Sequence, residues 1–280
     1  MTIALTENCR TQVRARRRQR LADRHPVALF TVLAFALSWW PAVGRFGNPE
    51  SAVVVPIGPS VAGALVIGWR ARRHGLGELA RAERQSHVGR WWWALTIPVG
   101  IAFAAAPLSI VLGAEPPSSK SVATSAVLIV LLPLTMVVAG PLGEELGWRG
   151  FLLPHLLQAR PPLRAALAVL PIWLAFHLPL VLTNPSRYGL PWAMVIAGLA
   201  LTMTWLHLRT DGSLRLAVVF HAAVNTVAAA SIQAFDDQDQ ALVAAVTAAV
   251  WLLVGLAVAL GPLHPRPEQN HHRTNEGTRS

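Results

Sequence analysis

Residues 140–154 read GPLGEELGWRGFLLP. Two adjacent glutamates, Glu144 and Glu145, and then Arg149 stand between a valine- and leucine-rich run that leads in and Phe151, Leu152 and Leu153 that lead out. A charged residue at the centre of a membrane helix costs about 2.5–3.5 kcal/mol on insertion scales, and such residues mark function by default. Three left unpaired would cost on the order of 8–10 kcal/mol. They are therefore expected to be paired or water-facing, with the rest of the chain as a scaffold that holds them at membrane depth.

Working outward, the 280 residues are 53% hydrophobic and 14% charged. A soluble domain carries about 25% charged residues, so the composition predicts an all-α polytopic membrane bundle rather than two soluble domains. The single cysteine, Cys9, excludes a disulfide framework within the chain. A formal net charge of +10 would suit nucleic-acid binding. The basic residues cluster at the ends of apolar runs instead, which argues against it. The expected partners are the lipid bilayer and a peptide or membrane-protein substrate, with no nucleic acid.

Eight runs are long enough for a bilayer core of about 30 Å, which needs some 17–25 residues. They lie at 27–43, 52–69, 91–113, 122–141, 165–183, 191–208, 216–234 and 241–260. Backbone groups in lipid must be satisfied within the segment, so these runs are expected as about eight transmembrane helices. The basic leader and first run are read as a retained signal-anchor, longer than a secretory h-region and without a small-residue cleavage site. The domain plan is a basic tail at 1–26, a membrane domain at 27–260 with its motif core at 140–226, and an unstructured tail at 261–280. With both termini cytoplasmic, 21 Lys and Arg fall inside and 3 outside, as the positive-inside rule requires. In that frame 142–164 is an inside connection and 236–239 an outside one, and the expected location is the cell membrane. Trp39, Trp40 and Trp192 fall at outer span ends, and Trp69, Trp91 to Trp93 and Trp205 at inner ends, as an aromatic belt should. Trp251 is the exception, in mid-span.

This topology gathers polar groups. Glu145 and Arg149 are four apart, acid before base, and can pair on one helix face; Glu144 points about 100° away and is spare. The fifth run carries Trp173 and His177, and the seventh His221 and Asn225 four apart on one face. Counted from the cytoplasmic ends, both histidines fall in the inner half of the membrane. Each group alone has an ordinary structural explanation: a membrane histidine commonly bonds a neighbouring helix, and such interhelical bonds average about 0.6 kcal/mol. His155 and His207, near the cytoplasmic surface, are assigned that way. The conjunction of a spare carboxylate, two histidines and an amide on three spans allows more, namely hydrolysis. Desolvation makes a carboxylate a better general base, and imidazole and amide groups can donate to a developing oxyanion. Two histidines and a carboxylate are also a known zinc set. There is no HExxH motif, no serine or cysteine in a nucleophile context and no glycine-rich phosphate loop.

Taken together, Glu144-Glu145-x-x-x-Arg149, Trp173-x-x-x-His177 and His221-x-x-x-Asn225 resemble the three motifs of the CPBP family of intramembrane proteases, which includes the CAAX prenyl endopeptidases and the bacteriocin-linked Abi group. GPSVAGAL at 58–65 and DGSLRLAVVFHAAVNT at 211–226 are similar too. The resemblance implies an intramembrane endopeptidase acting near the cytoplasmic face. Glu144 and His177 would activate water, and His221 with Asn225 would stabilise the oxyanion. Glu145, Arg149 and Trp173 would support the site, Trp173 standing where the family often has phenylalanine. Members have been described both as metalloproteases and as glutamate-type enzymes. The metal-free form is favoured here because the two pairs divide naturally into base and oxyanion roles; a metal form would use Glu144, His177 and His221 with zinc. Two other functions remain open from the residues: a transporter, for which repeated halves are missing, and a non-catalytic immunity or partner protein that keeps the site only as a fold.

Overall fold

The structure, a computed structural model, describes residues 24–43, 54–74 and 92–263. The tails assigned to 1–26 and 261–280 and the basic 70–90 connection lie largely outside these residues. Among the described residues there are helices and turns and no strand, in agreement with an all-α bundle. In chain order the helices are α1 (Pro26–Val43), α2 (Gly58–His74), α3 (Trp93–Val111), α4 (Ser119–Ala139), α5 (Pro141–Gly147), a π turn (Trp148–Leu152), α6 (Leu153–Leu157), α7 (Pro162–Phe176), α8 (Leu178–Thr183), α9 (Pro185–Tyr188), α10 (Leu190–Arg209), α11 (Leu214–Gln233) and α12 (Gln240–Leu260). Five of them, α3, α4, α10, α11 and α12, are long and apolar enough to cross a membrane. Three shorter apolar helices, Pro26–Ala42, Gly58–Trp69 and Pro162–Phe176, fall in the remaining predicted runs.

Two of the predicted spans are cut by proline. The fourth run does not continue into the glutamates. α4 stops at Gly140, whose φ of −159° and ψ of −64° leave the helix, and Pro141 starts a new one. Proline disfavours the helical conformation in the residue before it and is itself well placed in a first turn, where its missing N–H is not needed. The fifth run is likewise two helices, α7 and α8. An unbroken helix would drive the Pro179 ring against the carbonyl four residues earlier. The chain breaks instead at His177 (φ −92°, ψ 3°), and Pro179 falls in the first turn of α8. The break frees the Phe176 carbonyl, which accepts a hydrogen bond from Trp39 Nε1 at 2.8 Å.

The stretch 142–164, counted among the inside segments, is largely helical. It carries α5, the π turn and α6, and it is the centre of the core: Trp148, Leu152 and Leu153 are sealed from solvent, as are Glu145 and Arg149. Around it an aromatic cluster forms, with Phe30 against Trp148 (5.4 Å) and Phe151 (5.1 Å), and Trp148 against Phe176 (5.4 Å). The physical reason is glycine. Gly143 and Gly147, four apart on α5, meet the backbone that leads into α2. A Cβ on Gly143 would lie 2.7 Å from the Pro56 carbonyl oxygen, and one on Gly63 would lie 3.0 Å from Gly147 Cα. Small residues at this spacing let two helix backbones touch, and the Ser60 hydroxyl adds a bond to the Leu142 carbonyl at 3.1 Å. Gly198 and Gly255 repeat the device where α10 packs on α12.

The tryptophans divide. Trp40, Trp69 and Trp92 stay exposed, as belt residues do. Trp39 is tied to Phe176, and Trp251 is buried against Phe220, so its mid-span position is a core position.

Candidate active site

The glutamates enter the site from α5, whose first turn begins at the Gly140 break. Glu145 and Arg149 pair as their spacing predicts, Arg149 Nη1 donating to Glu145 Oε1 at 2.9 Å. The π turn follows directly: the Leu153 N–H bonds the Trp148 carbonyl five residues earlier, and such bulges often sit at functional sites. Glu144 faces elsewhere, also as predicted, and is buried. Its Oε2 accepts from two indoles, Trp148 Nε1 at 3.1 Å and Trp173 Nε1 at 3.2 Å.

Trp173 is the hub of the arrangement. Besides its bond to Glu144, its ring lies under the Arg149 guanidinium, 4.3 Å from Cζ to the ring centroid, and edge-on to His221 at 5.8 Å. Its backbone carbonyl bonds His177 Nδ1 at 2.9 Å. A carbonyl only accepts, so Nδ1 of His177 carries the proton and Nε2 of the neutral ring keeps its lone pair. The His177 ring packs edge-on to Trp192 at 4.3 Å, and Trp192 onto Tyr188. The helix break at residue 177 therefore exposes a half-buried imidazole at the site instead of enclosing it within a helix.

α7 has 15 residues, about 22 Å at 1.5 Å per residue, and His177 follows its last residue, at the opposite end from the basic 158–164 connection.

From α11 comes His221, buried, with Nδ1 at 2.7 Å from Glu145 Oε1. One carboxylate oxygen thus serves both Arg149 and His221, while Glu145 Oε2 is buried without a hydrogen-bond partner among the described residues. Sequence spacing paired Glu145 with Arg149 and left its link to His221 unseen, because the two lie 76 positions apart. Asn225 follows one turn later on α11 and is half-buried. The expected residues are therefore brought together as one connected cluster around Trp173, with Asn225 placed beside it by helix spacing. Trp148, missed in the sequence, belongs to it; its place four after Glu144 was the available signal. His155 stacks on Phe151, outside the cluster.

Among the described residues no three His, Cys, Asp or Glu side chains converge to hold a metal ion. Glu144 Oε2 is turned to two indoles, and each histidine Nδ1 is held by a carbonyl or carboxylate, the usual arrangement when the other ring nitrogen is a metal ligand. These bonds are compatible with either mechanism, and no step below is routed through a metal.

A profile of type II CAAX prenyl endopeptidase Rce1-like proteins matches residues 125–227, a segment that contains all the cluster residues named above. CAAX prenyl protease 2 of Methanococcus maripaludis is 30% identical over 92 residues, which are 29% of this chain and 34% of that protein. The match thus spans about a third of the relative's length. Both findings bear out the family resemblance carried by the three motifs.

Proposed function

We infer that this chain is a CPBP-type intramembrane endopeptidase that hydrolyses a peptide bond with a water activated by Glu144 and His177. The observation that carries the inference is the meeting of Glu144, His177 and His221, from three separate segments, around one buried tryptophan. A cluster this costly in an apolar bundle is hard to account for by packing alone. The family match adds the reaction class.

In the proposed reaction, water is held between Glu144 and the free lone pair of His177 Nε2. Glu144 takes a proton as the water oxygen bonds to the scissile carbonyl carbon. The carbonyl π pair moves onto oxygen, where His221 and Asn225 donate to the oxyanion. The proton on Glu144 then passes to the nitrogen as the C–N bond breaks, giving a carboxyl and an amine. His221 can donate only through Nε2, since its Nδ1 proton serves Glu145. Donation from both ring nitrogens of His221 uses the doubly protonated ring. Such donors typically contribute about 2.7–4 kcal/mol each to an acyl-transfer transition state. The substrate is proposed as a peptide or membrane protein entering from the bilayer.

The test compares the membrane proteome of cells carrying the wild-type chain with that of cells carrying Glu144→Gln at equal abundance. Loss of a defined cleavage product in the variant is the expected result. Identical product sets would remove the protease assignment and favour a transporter or a non-catalytic partner.

A further inference from the structure

The two hydrogen bonds that reach Glu144 from the described residues fall on one oxygen, and both come from neutral donors. Trp148 lies one turn along the same rod, and Trp173 reaches across from α7; both indoles are fully buried. Next door, Glu145 is handled differently, with a guanidinium and an imidazole on Oε1. The contrast matters chemically. A guanidinium brings a positive charge and can take both oxygens of a carboxylate, whereas an indole has one N–H and no charge. Two indoles on Oε2 therefore fix the plane of the Glu144 carboxylate without neutralising it. The other oxygen, Oε1, lies toward Gly140, where an added Cβ would come within 3.4 Å of it. Gly140 thus places no side chain of its own beside Oε1. Unlike Glu145 Oε2, this oxygen is not among the buried atoms lacking a partner.

We propose that Trp148 and Trp173 are positioning residues that clamp Oε2 of Glu144 and so select Oε1, beside Gly140, as the atom that takes the proton from water. The proposal rests on Glu144 being the base and assigns which of its oxygens works and what holds it. Both tryptophans act through Glu144. Trp173 also bonds His177 through its backbone carbonyl, a contact that phenylalanine at this position would keep.

The experiment uses the full-length protein in detergent micelles with Trp148→Phe, Trp173→Phe and the double variant, which keep an aromatic ring and remove only the donors. Infrared difference spectra against the parent should show a carboxylate-stretch shift for each single variant and a larger one for the double. The same difference should vanish on a Glu144→Gln background. No shift, or one that survives in Glu144→Gln, overturns the clamp. With a quenched fluorogenic peptide selected for Glu144-dependent cleavage, each single variant should lose roughly tenfold in kcat, and the double on the order of a hundredfold, with KM unchanged. Trp251→Phe, a core substitution away from the site, should keep the parent rate. A folded double variant with parent kcat overturns the proposal. If no peptide shows Glu144-dependent cleavage, the assignment of the base has failed instead, and the infrared result still reports on the clamp.

Discussion

Replacing Glu145 by alanine removes the acceptor shared by Arg149 and His221, and it is the substitution expected to cost most. Glu145 and Arg149 are 0% and 2% exposed and 2.9 Å apart. At that separation the attraction is about 6 kcal/mol for an effective dielectric constant of 20. Desolvation of the two ions offsets most of it while both are present. With Glu145 gone, the guanidinium stays buried and unneutralised, and breaking one side of such a pair costs about 3–5 kcal/mol. The Trp173 face at 4.3 Å remains to Arg149 and returns about 1–2 kcal/mol of that at most. His221 loses its Nδ1 acceptor, adding about 1–3 kcal/mol. Glu145→Ala is thus expected to lose several kcal/mol, whereas Glu144→Gln, whose amide oxygen can still accept from both indoles, should change stability by less than about 1 kcal/mol. Equilibrium unfolding in mixed micelles, followed by tryptophan fluorescence, measures both. Adding Arg149→Met to Glu145→Ala should recover about 2–3 kcal/mol, since an apolar replacement of both ions is often neutral. Glu145→Ala with parental stability, or a double variant no more stable than the single, would refute the reasoning.

Gly143→Ala should lower thermal stability in detergent by about 1–3 kcal/mol, because its methyl would press on the Pro56 carbonyl and part α5 from α2. Trp39→Phe leaves the Phe176 carbonyl without its indole donor, and a loss of about 1–3 kcal/mol with a disturbed His177 is expected in the same assay. Asn225→Ala should reduce turnover by roughly two to three orders of magnitude with little change in KM, and Asn225→Asp nearly as much. Under the zinc alternative Asn225→Asp would instead hold metal and die on chelation, so metal content and chelator sensitivity of that variant separate the two mechanisms. Reporter tags at the N-terminus, at 70–90 and in the C-terminal tail are expected on the cytoplasmic side, and one at 235–240 outside; a C-terminal tag reporting outside would overturn the assigned orientation.

Much of this protein was legible in the sequence, for local reasons. Composition and run length suffice for an all-α membrane bundle, because lipid leaves the backbone few ways to satisfy its hydrogen bonds. The Glu145–Arg149 pair and the divergence of Glu144 follow from helix periodicity within five residues. What needed the tertiary structure was every relation between distant segments. A proline within a run marks where a helix can break, but not that the break at His177 would hand the Phe176 carbonyl to Trp39, 137 positions away. The charges of 142–164 pointed to a stretch held at membrane depth, but only packing against Gly63 and Pro59 shows which backbone that rod lies against. Trp173 was expected to support the site, with no partner named for it. Its bond to His177 is local, but its contacts with Glu144, Arg149 and His221 come from other segments, and partners across segments leave no periodic trace in a single chain.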